Sequence, residues 1–197
     1  MGRPSPEQSR EKQEEVLRVA RQEFIRNGYR ATHMSTIASA ANVAKRTLYL
    51  WHADKSSLFL ACVLEGARSF PPLSVDADKD IAVALATYGS SLARRFCEES
   101  SYGLGHLIAR EGRDFPELAA ASIEAQQHYM IEPLAGYLRY HGLERPGSTD
   151  RTNILISMVL VEVYSALLTG APPPDPDKAE QQARLAVEIF LGAKPSI

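Results

Sequence analysis

Between positions 45 and 55 the sequence Lys45-Arg46-Thr47-Leu48-Tyr49-Leu50-Trp51-His52-Ala53-Asp54-Lys55 gathers cations, a hydroxyl and two large aromatics into a short stretch. That set suits recognition chemistry rather than bond-making chemistry. Lys and Arg donate to the O6 and N7 of guanine, and a Thr methyl can meet the methyl of thymine, in the major groove of DNA. If Lys45, Arg46 and Thr47 begin a short helix, they stand nearest the base edges. Tyr49, Trp51 and Lys55 lie further along, placed to give hydrogen bonds or charge to phosphates and so fix register. Ser35 and Thr36 open the preceding short helix, beside its first amides, and join the DNA-binding candidates. Arg3, in the N-terminal tail, is a weaker candidate for a minor groove.

Patterns for other chemistry are missing. The chain has no Walker loop, HExxH or CxxC, and Gly103-Leu104-Gly105 lacks both a third glycine and a preceding strand. The histidines are scattered. No catalytic residue, cofactor or metal site is expected, and a helical enzyme is only a distant alternative. Cys62 and Cys97 fall on apolar helical stripes, where a cysteine is usually a packing residue; a redox-sensing regulator built on them is the other alternative. Two cysteines are too few for a disulfide framework, which suits a cytoplasmic chain.

The elements that must position these residues are helical. From Gln8 to Asn27 the apolar positions Val16, Leu17, Ala20, Phe24 and Ile25 recur at spacings of three and four, and Gly28 then ends the helix. Thr32 is the expected N-cap of a second, short helix through Met34, Ile37, Ala38 and Ala41. Asn42-Val43-Ala44 makes a turn, because Asn tolerates the left-handed conformation that closes a helix. Lys45 to Trp51 is a third helix, and Asp54 caps a fourth. Two short helices around a tight turn, flanked by longer ones and carrying basic and hydroxylic residues, describe a helix-turn-helix over residues 33–52. Its apolar positions Ile37, Ala38, Val43 and Leu48 are scaffold.

Beyond residue 70 the pattern stays helical: 80–97, 104–109, a helix from Pro116 to about His141 kinked near Pro133, an apolar helix ending at Gly170, and a last helix from Asp175-Pro176. The expected fold is all-α with about nine helices. The segment 154–168 is too short to cross a bilayer and contains Glu162, so no membrane partner is expected. Being apolar nearly all round, it can serve its own core with one face and a second copy of the chain with another.

Of the chain's 197 residues, 22 are Lys or Arg and 24 Asp or Glu, a net charge of -2 that argues by itself against a nucleic-acid partner. Residues 1–55, however, hold ten basic against six acidic residues, a net +4, leaving -6 for the remainder. Such a division is what a DNA-binding portion joined to an unlike body produces.

Residues 13–64 resemble the DNA-binding domain of the TetR/AcrR family of bacterial transcriptional regulators, through Phe24, Gly28, Tyr29, Thr32, Ile37, Ala38, Ala41, Val43, Thr47, Leu48, Tyr49, Lys55 and Leu58. Asn42, Ala44, Arg46 and the pair Trp51-His52 depart from the common pattern. The resemblance implies a DNA-binding domain over 10–70 and a ligand-binding and dimerisation domain over 71–197. It implies a homodimer through 148–169 and 176–192, and a repressor on a palindromic double-stranded DNA operator that a small-molecule effector releases. Tyr88, Phe96, His106, His128 and Tyr129 are the candidates for the effector's pocket, mixing apolar wall with sparse polar groups.

Overall fold

The computed structural model of the chain describes residues 5–68, 70, 73 and 80–192; Arg3 lies outside them. Among these residues there are no strands and eleven α-helices: α1 (Pro6–Ala31), α2 (Met34–Ala40), α3 (Lys45–Trp51), α4 (Lys55–Ala67), α5 (Ile81–Cys97), α6 (Glu99–Glu111), α7 (Pro116–Gln126), α8 (Glu132–Tyr140), α9 (Asp150–Val159), α10 (Val161–Thr169) and α11 (Pro176–Gly192). A π-helical turn, Gln127–Ile131, carries α7 directly into α8. Pro133 explains its place: the ring has no N–H to offer the carbonyl four residues back and would collide with it, so the helix widens just upstream. Counting α7 with α8 and α9 with α10 returns the expected nine helices.

The apolar segment expected to form one straight helix is bent instead. The backbone leaves helical geometry at Leu160 (φ -101°, ψ 12°), and α9 and α10 meet there at 67°. Neither Pro nor Gly lies at the bend, and the Leu160 side chain is wholly buried. No single helix among the described residues is long and apolar enough to cross a membrane.

The chain divides into two compact units. One contains the chain up to Gly66 together with Gly103–Ile123; the other contains Ala67–Tyr102 and the residues from Glu124 onward. Residues 103–123 therefore pack with the N-terminal helices, although they fall within 71–197. The first unit's core is built from Val16, Ala20, Phe24, Ile37, Leu48, Leu58 and Phe59, with Leu104, Leu107 and Leu118 completing it. Helices as short as α2 and α3 are marginal alone, and burying their apolar faces supplies what their length does not. In the second unit α5 packs against α9 and α11 around Leu85, Leu92, Leu155, Val159, Ala183 and Val187.

One buried carboxylate organises the second unit's loop before α9. Thr149, at the N-cap, makes no side-chain cap. Glu144 takes its place: its carboxylate accepts from the Thr152 amide (2.9 Å), the Thr152 hydroxyl (3.1 Å) and the Arg145 amide (3.1 Å). Burial disfavours its charge, but these donors outweigh the burial and hold the carboxyl below the usual Glu range. A group depressed in the folded state stabilises the fold above its unfolded pKa, and that contribution disappears as pH falls through the folded value. Glu144→Gln is expected to lower stability by about 1–3 kcal/mol near neutral pH. In urea melts run from pH 7 downward, the gap between variant and parent should narrow below about pH 4.

Candidate nucleic-acid interface

Helices α2 and α3 are placed by a junction at the end of α1. Gly28 adopts φ 80° and ψ 162°, a region essentially restricted to glycine, and interrupts the helix there. The backbone groups this exposes find partners from elsewhere in the same unit. Glu111 of α6 accepts from the Arg30 amide at 3.1 Å. Burial opposes the Glu111 charge, but the Arg110 guanidinium and the Arg30 and Tyr29 amides outweigh it and keep its carboxyl below the usual range. The Thr32 hydroxyl donates to the carbonyls of Gly28 (2.7 Å) and Glu23 (3.2 Å). Thr32 thus closes the end of α1 rather than capping α2, whose N-cap residue is His33 and makes no side-chain bond.

Lys55 has a different task from the expected phosphate contact. Its ammonium donates to the carbonyls of Tyr29 (2.7 Å), Thr32 (3.1 Å) and Arg30 (3.4 Å), and it sits 4.4 Å from the centre of the Tyr29 ring. With all three hydrogens directed at this junction, Lys55 ties the start of α4 to the end of α1. Tyr29 is buried between Phe24, Phe59 and Phe115, with ring centres 5.0–5.7 Å apart. Asp54 caps α4 as expected, accepting from the Ser57 amide at 2.7 Å.

From this junction α2 and α3 form the helix-turn-helix. Ile37, Ala38, Ala41 and Leu48 are buried between them. Asn42 takes the left-handed conformation (φ 50°), and the Val43 amide donates back to the Ala38 carbonyl at 2.9 Å, the pattern of a Schellman close. Ser35 and Thr36 are exposed at the start of α2.

On α3 the phase of a 3.6-residue helix turns Leu48 inward and presents Lys45, Tyr49, Arg46 and Leu50 as one exposed arc. The Lys45 ammonium stands 5.8 Å from the centre of the Tyr49 ring. Thr47 and Trp51 are half-buried at the margins, and Trp51 packs against the unit's core. Leu50, absent from the expected contacts, is 82% exposed. Its spacing of four after Arg46 is the signal that identifies it.

The pocket candidates have different surroundings. Tyr88 is in the core of the second unit, where burial pushes its phenol up and its hydroxyl has no hydrogen-bond partner. It faces Leu85, Leu92, Leu134, Val159 and Val187, packed with no room for a water molecule between them. Phe96 is half-buried against Phe70, with ring centres at 5.3 Å. His128 is exposed on the π turn, edge-on to Tyr129, and so walls no interior space. Tyr129 accepts a hydrogen bond from Arg68 at 3.4 Å. His106 lies in 103–123, the segment belonging to the first unit.

Both cysteines are buried as thiols, which weighs against the redox alternative. Burial pushes Cys62 up to about 12 and raises Cys97 as well, whereas reactive cysteines are accessible thiolates.

The model of the family described as "Bacterial regulatory proteins, tetR family" matches residues 16–62. Solved structures match along nearly the whole chain. A TetR-family transcriptional regulator from Mesorhizobium loti MAFF303099 is 27% identical, over 93% of this chain and 96% of that one, with a TM-score of 0.75. The flavonoid-responsive regulator FrrA is 26% identical over 92% and 96%, with a TM-score of 0.70. A TetR transcriptional regulator from Agrobacterium tumefaciens shares the fold, at 23% identity over 96% and 94% and a TM-score of 0.72. A comparison with curated protein sequences found no match.

The junction makes a specific demand at Gly28. A Cβ there would lie 2.5 Å from Glu111 Oε1, besides forcing a side chain into φ 80°. Gly28→Ala is expected to cost about 1–3 kcal/mol, lowering the thermal midpoint by roughly 2–10 °C in a calorimetric scan.

Proposed function

The chain belongs to the TetR family of bacterial regulatory proteins, and from that premise we propose that it is a ligand-responsive cytoplasmic repressor binding a palindromic operator as a homodimer. The observation that carries this reading is the exposed cationic and aromatic arc of α3, held on a packed scaffold. In this reading Lys45, Arg46 and Thr47 meet base edges. Tyr49 and the rim of Trp51 lie against phosphates with Ser35 and Thr36, and Lys55 holds the frame they stand on. The +4 of residues 1–55 favours the DNA end of the molecule, and the -6 of the rest discourages indiscriminate coating of DNA.

A second copy of the chain is the partner best suited to α10 and α11. Val161, Tyr164 and Leu168 form an exposed apolar stripe on α10, with Leu168 88% exposed, and Leu185 and Ile189 form another on α11. Two such pairs meeting about a two-fold axis make a four-helix contact and set two reading helices for two half-sites. The effector is a small, largely apolar molecule with at least one hydrogen-bonding group. The flavonoid response of one similar regulator, FrrA, supports this. Its binding would favour a conformation in which the two heads no longer fit one operator.

The test is selection of bound DNA from a random pool, then titration of the recovered site. Lys45→Ala combined with Tyr49→Ala is expected to weaken specific binding by about 30-fold or more. The slope of log affinity against log salt should become shallower than the parent's. Unchanged affinity in the double variant would remove α3 as the reading element.

A further inference from the structure

Leu50 is the one aliphatic side chain without a charge on the exposed arc of α3, beside the aromatic Tyr49, and it is 82% exposed. Its helix is short, so nothing on its own element covers it. Leu168 with Val161 and Tyr164, by contrast, forms a stripe that a protein surface can bury. A lone leucine beside Lys45 and Arg46 offers too little area for a protein partner and too much positive charge for an apolar one. The charge of the arc complements a polyanion, and the edges of base pairs in a major groove present one apolar group, the 5-methyl of thymine.

We propose that Leu50 is a specificity-determining residue that reads a thymine methyl in each half-site. The inference rests on the DNA-binding reading above. Leu50 follows Arg46 by one turn on the same face, a rise of about 6 Å at 1.5 Å per residue. That is roughly two base steps at 3.4 Å each. The thymine it reads accordingly lies about two base pairs from the base that Arg46 contacts, and Arg46 is suited to guanine. The pair Arg46 and Leu50 thus combines a polar and an apolar determinant on one helical face, and the second discriminates thymine from cytosine by its methyl alone.

The experiment uses the full chain and the sites it selects from a random pool. Each thymine of a half-site is replaced in turn by deoxyuridine, which pairs identically and lacks only the methyl. For the parent protein, one replacement per half-site, about two base pairs from an essential guanine, is expected to weaken binding by about three- to tenfold. Leu50→Ala should bind the thymine and deoxyuridine sites equally while keeping its requirement for the guanine. Because the side chain is exposed, its thermal midpoint should match the parent's. A parent indifferent to every methyl overturns the inference, as does a Leu50→Ala protein that still distinguishes thymine from deoxyuridine at that position. A protein that selects no DNA overturns the reading beneath it as well.

Discussion

The carboxylate of Glu111 against the amides that follow Gly28 is the contact on which the reading head depends. A helix that breaks leaves amides and carbonyls without helical partners, each costing about 1–3 kcal/mol where it is buried and unmet. Here the amide side is met by Glu111 of α6, and the carbonyl side by Thr32 and by Lys55 of α4. Three side chains from separate parts of the chain thereby fix the direction in which the backbone enters α2. The aromatic group of Phe24, Tyr29, Phe59 and Phe115 fills the space beneath. With the entry direction fixed, the small residues Ala38 and Ala41 and the buried Leu48 leave α3 one way to pack, and its polar arc faces outward.

Division of labour within the chain follows from the same economy. Helices α2 and α3 are too short to be stable unaided, and the core that holds them recruits Leu104, Leu107 and Leu118 from later in the sequence. Residues 1–55 carry a net +4, while the acidic remainder carries the uncovered apolar stripes of α10 and α11. An overall charge of -2 is therefore the sum of two unlike parts, and it conceals a surface suited to DNA.

Much of this was legible in the residue order. Apolar spacings of three and four marked the helices, Gly28 and Asn42 marked their ends, and the phase of Lys45 to Trp51 separated Leu48 from Lys45, Arg46 and Tyr49. What was not legible depends on partners distant in sequence. Nothing near Lys55 announces that its ammonium will serve carbonyls more than twenty residues earlier, and Glu111 lies 81 residues from the amide it accepts from. Thr32 has the chemistry of an N-cap, yet the carbonyl of Gly28 lies closer to hand than the amides of α2. The bend at Leu160 has no Pro or Gly to signal it, because it answers to packing of the whole unit. The surroundings of Tyr88, Phe96 and Tyr129 were not legible for a similar reason: a helical stripe tells which face is apolar, not which other stripe it will meet.

The central claim, that two copies of this chain read one symmetric site through α3, is tested most directly by hydroxyl-radical footprinting of the selected DNA. The account predicts protection on one face of the duplex in two patches related by two-fold symmetry, centred about 10 base pairs or a multiple of that apart, each flanking a major groove. A single unpaired patch, or uniform protection that ignores the sequence, would contradict it.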